Sequence, residues 1–334
     1  MFWLVVLFYL LGILAVAATL LPIWRTTLWW IRLCDFPRFQ IALLAFAILG
    51  ILPILRWPLS TTDIILLAAL VFAVIWQLSW VWRYMPLAPL EVPRGTAARD
   101  APECIALLTT NVLRTTRDAD SLLKIIRDAD PDLVLAVETD EWWCARLQEG
   151  LQARYSHHIL YPLSNGYGLA LFSRLELIDP SIQFVVDEAI PSIKTGVRLR
   201  TGAVIDAYGV HPRPPSVQQD STERDVELVR VGLAIKESQR PSVVLGDLND
   251  VAWSLTTSEF KRVGGLADPR RGRGFFNTYP AGMPGFRYPL DYVFHTSHFA
   301  VCEMRVLPRF QSDHLPLIAT LCLMPERAIK ANKG

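Results

Sequence analysis

The sequence lacks charge over long distances: residues 2–24, 39–55 and 64–82 contain no Asp, Glu, Lys or Arg. It also lacks an excess of either sign, with 33 Lys+Arg against 32 Asp+Glu and a formal net charge of +1 over 334 residues. That balance excludes the broad basic field of a protein that holds nucleic acid by charge alone. An enzyme acting on phosphate esters through a bound cation stays possible, because the ion supplies positive charge locally. Cysteine is scarce. Cys34, Cys104, Cys144, Cys302 and Cys322 form no C-x-x-C pair and leave an odd one over. A disulfide framework and a zinc site are therefore unexpected, and free thiols suit a reducing compartment, although the four cysteines of the polar part could pair.

The uncharged runs are the first thing present. A membrane-spanning helix needs about 20 apolar residues, so the first and third runs suffice and the second is just long enough. Eight of the eleven tryptophans fall before residue 85, and Trp24, Trp29, Trp30, Trp57, Trp80 and Trp82 sit at or near run ends, as in an interfacial aromatic belt. Ala15-Val16-Ala17 resembles a signal-peptide cleavage site, but no Lys or Arg precedes the first run and two more runs follow it. Residues 1–84 are thus read as an anchor of three transmembrane helices in a lipid bilayer. Arg25, Arg32 and Arg38 lie between the first two runs and Arg83, Arg94 and Arg99 after the third, against Arg56 alone between the second and third. This asymmetry predicts a multi-pass protein of the inner or plasma membrane with its polar domain in the cytoplasm. Pro86, Pro89 and Pro93 make 85–99 a stiff linker. A globular domain is expected over 100–324, and a short basic tail over 325–334.

Within the globular part, apolar runs of strand length alternate with amphipathic helical patterns, as in an α/β domain. The run ending in Gly246-Asp247-Leu248-Asn249 reads as a strand buried on both faces that opens abruptly into acids and an amide. Alone, it could be an ordinary Gly-Asp turn. Yet a polar residue recurs at a strand terminus at Asn111, Glu138, His211, Asp247 with Asn249, Asp291, and Asp313 with His314. If the strands pack in two layers with these ends together, the side chains converge on one pocket. Its hard oxygen donors would suit magnesium or manganese. His157 and His158 match no such pattern and are read as structural.

In order and spacing, Thr110-Asn111-Val112-Leu113, Glu138, Tyr167-Gly168-Leu169-Ala170-Leu171-Phe172-Ser173-Arg174, His211-Pro212, Gly246-Asp247-Leu248-Asn249, Leu290-Asp291-Tyr292-Val293 and Ser312-Asp313-His314-Leu315-Pro316 resemble the endonuclease/exonuclease/phosphatase superfamily, the deoxyribonuclease I-like group. The resemblance implies a four-layer α/β sandwich of two packed mixed β-sheets, and a hydrolase using Mg2+ or Mn2+ to direct water at a phosphoester. It also implies roles. Glu138 would be the principal metal ligand, with Asn111 and Asp313 completing the shell or orienting its waters. Asp247 would orient or deprotonate the attacking water, and Asn249 would hold the phosphate or the nucleophile. His314 would contact the scissile phosphate, its tautomer fixed by Asp291, and His211 would be a second phosphate-side imidazole.

Arg174, Arg271, Arg273 and Tyr279 are candidate substrate contacts, solvated surface arginines being the alternative. The substrate is read as a nucleic-acid or nucleotide phosphodiester, with a lipid headgroup phosphate as the alternative. No obligate protein partner is evident. An inactive membrane-tethered binding module is the alternative of another class.

Overall fold

Helices that are apolar on every side need an apolar surround as well as an apolar core. The uncharged runs lie in such helices, α1 (Phe2–Leu20), α3 (Arg38–Arg56) and α4 (Thr61–Val81), with the short α2 (Trp29–Arg32) between the first two. The fold is given by a computed structural model describing residues 2–215 and 220–325. The chain divides into two compact units, the first running to Ala88 and the second from Pro89 onward apart from Pro215–Ser221.

In the first unit, three helices are long and apolar enough to cross a membrane. They pack through Ala15, Ile41, Ala45, Ile48, Leu52, Leu66 and Leu70, whereas Phe46, Ile54 and Ile65 face outward. Polar groups go to the inside. Arg38 donates to Gln77 Oε1 at 2.9 Å, Gln77 Nε2 to Thr19 Oγ1 at 3.0 Å, and Thr19 Oγ1 to the Ala15 carbonyl at 2.8 Å. Apolar outside and hydrogen-bonded polar inside is the arrangement a hydrocarbon surround demands.

The second unit is built from β1 (Cys104–Asn111), α5 (Ala119–Ala129), β2 (Leu133–Val137), α6 (Glu141–Leu151), β3 (His157–Tyr161), β4 (Leu169–Ser173), β5 (Leu177–Phe184), β6 (Pro191–Arg198), β7 (Val204–Val210), α7 (Thr222–Ser238), β8 (Ser242–Asp247), α8 (Leu255–Gly264), β9 (Leu266–Ala267), β10 (Asp291–Thr296), β11 (Phe299–Val306) and β12 (Leu317–Leu323). The strands make two six-stranded sheets, ordered β11-β12-β1-β2-β4-β3 and β5-β6-β7-β8-β10-β9. Both are mixed. Alternate residues of each sheet, among them Ile105, Leu107, Leu135 and Ala319 from the first and Ile193, Ala207, Leu245 and Val293 from the second, share one core. Opposite faces take helices: Leu122, Ile126, Trp143 and Leu147 of α5 and α6 cover the first sheet. Phe260 of α8 packs on Phe294 at 6.0 Å, with α7 beside α8. The result is the expected four-layer α/β sandwich.

Two details depart from the sequence reading. The stretch read as linker is docked over part of its length: Val92 joins the core, Val301 N donates to Pro93 O at 3.0 Å and Gly95 N to Val301 O at 2.9 Å. Cys104 and Cys322 form a disulfide, contrary to the expectation of free thiols. A separation of 218 residues hides from the sequence that β1 and β12 are antiparallel neighbours in which these two cysteines are register partners. The basic tail, from 326 on, lies outside the described residues.

At the far end of β10 the ring of His295 is wholly buried. Its Nδ1 lies 2.8 Å from Thr296 O, and Nε2 has no partner among the described residues. Burial lowers its pKa from 6.5 to about 4. A histidine whose folded pKa lies below its unfolded one leaves stability intact above the unfolded value and removes it as pH falls toward the folded value. The second unit should therefore lose up to about 3 kcal/mol through this group as pH drops across that window. A series of melting curves on His295→Asn, which keeps a donor near Thr296, should lack that loss.

Candidate active site

Topology puts the polar strand ends together. β1 and β2 run parallel and β12 antiparallel to β1, so the end of β1, the exit of β2 and the approach to β12 coincide. In the second sheet β7 and β8 run parallel, and β10 runs antiparallel to β8 with Asp291 directly opposite Asp247. Packing the sheets face to face brings both sets to one cleft, as direct bonds between them record. Asn111 Nδ2 donates to Glu138 Oε1 at 2.8 Å and, across the sheets, to Asp247 Oδ2 at 3.2 Å.

Each group is held by local structure. Asp247 Oδ1 accepts from Asn249 N at 2.8 Å, and its Oδ2 lies 3.5 Å from His314 Nε2. His314 Nδ1 is 2.8 Å from Asp291 Oδ2, which keeps a proton on Nδ1 and turns Nε2 toward the cleft. Asn249, at φ 51°, donates its amide to Pro212 O at 3.0 Å. His211 Nδ1 faces Asp247 O at 3.3 Å and its Nε2 lies 3.9 Å from Glu138 Oε1. Gly246, at φ 141°, has no room for a side chain, since a Cβ would come within 1.8 Å of Val210 O.

The electrostatics are those of crowded carboxylates. Burial raises the pKa of Asp247, with Asp291 adding to it and His314 opposing. Burial likewise raises Asp313, with Glu138 and Asp247 adding. For His314 burial works against the charged ring, but Asp291 and Asp247 outweigh it and lift its pKa to about 10.

Two carboxylate oxygens, Asp313 Oδ1 and Asp291 Oδ1, are buried without a hydrogen-bond partner among the described residues. Unpaired acid oxygens beside mutually repelling carboxylates fit a hard divalent cation. The resemblance implies Glu138 and Asp313 as its ligands, and Asp247, Asp291 and His314 bring ligand atoms within 4.8 Å of one another. Asn111 turns its oxygen to Leu113 N at 2.9 Å and its amide to the carboxylates, so in this arrangement it steers Glu138.

Of the substrate candidates, Tyr279 alone joins this cluster, its ring 4.7 Å from that of His314. Arg174 follows β4 at the opposite end of the sheet, where it pairs with Asp130 and lies 4.9 Å over the Tyr155 ring. Arg271 pairs with Glu91 at 3.4 Å, and Arg273 donates to Val92 O at 2.8 Å. These three arginines fasten the fold and do not line the cleft. Arg174→Ala should accordingly lower the melting temperature, by about 1 kcal/mol in stability, and leave kcat/KM within about twofold in a steady-state assay.

The sequence reading gave no role to several groups the cleft contains. The Tyr167 ring stands 5.7 Å from His211. Ser312 Oγ donates to Asn111 O at 2.8 Å and accepts from His314 N at 3.0 Å. Arg224, on α7, donates to Asn249 O at 2.8 Å and pairs with Asp250 at 3.1 Å. Tyr167 and Ser312 lie inside motifs already singled out, but nothing local in the sequence marks Arg224.

A model of the endonuclease/exonuclease/phosphatase family matches residues 108–314. No curated protein matches the chain. Among solved structures it is similar to an endonuclease/exonuclease/phosphatase from Beutenbergia cavernae, with TM-score 0.55 and 20% identity over 66% of this chain and 72% of that one. It is also similar to D. rerio TDP2 complexed with single strand DNA product, at TM-score 0.55 and 18% identity over 65% and 98%. A third is the human Nocturnin catalytic domain with bound sulfate anion, at TM-score 0.54 and 16% identity over 67% and 96%. At these identities the likeness is one of fold.

Proposed function

The chain belongs to the endonuclease/exonuclease/phosphatase family, and from that premise we propose a membrane-anchored, divalent-metal-dependent phosphodiesterase whose substrate is nucleic acid or a nucleotide. The observation that carries the reading is the Asp247 carboxylate, set between Asn111 Nδ2 and His314 Nε2 with Asp291 behind the imidazole. The bound ion, magnesium or manganese, would neutralise charge on the phosphoryl oxygens and acidify water. Glu138 and Asp313 would hold it, with Asn111 orienting Glu138.

The chain's own residues do the rest. Asp247 accepts the proton of the attacking water, its direction fixed by Asn249 N and Asn111 Nδ2. His314 presents Nε2–H to a non-bridging oxygen while Asp291 holds Nδ1. Asn249 contacts the phosphate from a backbone pinned by Arg224. His211, facing Asp247 O through Nδ1, offers Nε2 on the leaving-group side. Water attacks in line, and no covalent intermediate is needed.

Support for a nucleic-acid substrate comes from the similar TDP2 structure, complexed with a single strand DNA product. The apolar helices favour a second reading of the same chemistry, a phospholipid headgroup phosphate. An inactive tethered module would have no use for Asp247 and Asp291 buried side by side, since uncompensated buried charge is destabilising. Full-length protein in detergent, offered supercoiled DNA, dinucleotides and phospholipid vesicles with magnesium, should turn over the nucleic-acid substrates. Exclusive turnover of the vesicles would move the assignment to the lipid headgroup.

For topology we retain three membrane crossings with the second unit in the cytoplasm, on the arginine asymmetry. The Cys104–Cys322 disulfide favours the opposite, oxidising face. A C-terminal fluorescent-protein fusion should be bright if the domain is cytoplasmic, and an alkaline-phosphatase fusion active if it is not.

A further inference from the structure

Neighbouring strands β1, β12 and β11 at one side of the first sheet each bring a cysteine to the same place, at the far end of β1 from Asn111. Cys104 and Cys322 are cross-strand partners joined as a disulfide. Cys302 lies where the β11–β12 register slips between Val301 and Glu303. A bulge there leaves Cys302 with no opposite residue on β12 and re-aims its side chain. Its Sγ is 2.8 Å from Cys322 Sγ, and all three sulfurs lie within 4.8 Å of one another.

Alternation sets the cysteines on the face away from the inter-sheet core, because Ile105, Leu321 and Val301 point into that core. The stretch 93–95 runs along β11 here, so close that a Cβ on Gly95 would come within 2.4 Å of Cys302 Sγ. Cys104 is 0% and Cys322 5% exposed, whereas Cys302 is only partly buried. An outside thiol therefore has no direct approach to the Cys104–Cys322 bond.

We propose that Cys104, Cys302 and Cys322 form a thiol–disulfide exchange site, in which Cys322 bonds to either neighbour and Cys302 is the entry point for a small external thiol or dithiol. Cys302 loses its proton to water and its thiolate attacks Cys322 Sγ. The Cys302–Cys322 bond forms, the Cys104–Cys322 bond breaks, and Cys104 leaves as a thiolate that takes up a proton. One thiol and one disulfide exist before and after, so this step needs no outside oxidant. An external dithiol then attacks Cys302 Sγ, releasing Cys322 as a thiolate. Its second thiol closes onto its first and frees Cys302, so the dithiol is oxidised to a cyclic disulfide and the protein disulfide is reduced to two thiols.

The test uses the full chain in detergent, with dithiothreitol as the probe. Acid quenching, alkylation and peptide mapping should find both Cys104–Cys322 and Cys302–Cys322 links, and Cys302→Ser should slow reduction by about tenfold or more. Cys104→Ser should retain one disulfide, Cys302–Cys322, which keeps the proposal testable if Cys302→Ser does not fold. A single Cys104–Cys322 link with an unchanged reduction rate in Cys302→Ser would overturn it. So would two free thiols at Cys302 and Cys322 in Cys104→Ser.

Discussion

Asp247→Asn should lower kcat by about 10³-fold or more, the scale of losing a positioned general base, with KM changed no more than about threefold because the substitution keeps the shape of the site. Both carboxylate oxygens of Asp247 are spoken for, Oδ1 by Asn249 N and Oδ2 by Asn111 Nδ2. An amide in its place must set an NH2 against one of these donors and can no longer take a proton from water. Against that lost hydrogen bond stands a relief. The carboxylate is 1% exposed, and burial together with Asp291 opposes its charge. The two effects are of similar size, about 1–3 kcal/mol each, so the melting temperature should stay within a few degrees of wild type. Were Gly246-Asp247 an ordinary turn, the pattern would invert: stability would change and turnover would not. Kinetics and a melting curve on the same preparation distinguish the two.

Glu138→Gln should separate metal binding from folding. Glu138 adopts φ 63°, and the next residue is clamped, with Thr139 N donating to Gly168 O at 3.0 Å and Leu163 N to Thr139 O at 3.1 Å. Gly168 is required for that approach, because a Cβ there would lie 1.8 Å from Thr139 O. Backbone contacts thus hold the position whatever its side-chain charge. Glutamine keeps an oxygen for Asn111 Nδ2 but removes a negative charge that acts on Asp313. Wild-type protein should melt higher with added magnesium or manganese, by about 2.7 kcal/mol at a hundredfold excess over Kd. The variant should lose most of that shift, and about 10³-fold in turnover at the same metal concentration. An equal metal-induced shift in both proteins would remove Glu138 from the proposed ligand set.

What was legible in the sequence follows burial. The interior strands β1, β2, β4, β7, β8, β10 and β12 appear as largely apolar runs such as Leu133–Val137, whereas β6, also interior, carries Ser192, Lys194 and Thr195 and does not. The four edges of the two sheets, β3, β5, β9 and β11, do not stand out in this way. An edge strand is solvated on one side and carries residues like the Asp179 and Gln183 of β5, so its alternation is lost among polar positions. The cleft could be read because strand ends are where a chain must change from apolar to polar. A run of Asp, Glu, Asn and His at successive ends is visible before the fold is known. Arg174, Arg271 and Arg273 were misread for the complementary reason. An arginine near a motif looks the same in sequence whether it faces a phosphate or, like Arg174, a carboxylate at the wrong end of its strand. The cysteine pairing and the hold of Arg224 on Asn249 depend on contacts between distant segments, which no local pattern records.

The most direct measurement is hydrolysis of bis(p-nitrophenyl) phosphate by full-length protein in detergent, beside the corresponding monoester. It is made first with chelator, then after adding back magnesium or manganese, with Asp247→Asn carried in parallel. The account predicts diester turnover that vanishes with chelator, returns with the ion and is absent in the variant. Turnover that persists in chelator, or that Asp247→Asn retains at wild-type level, would contradict it.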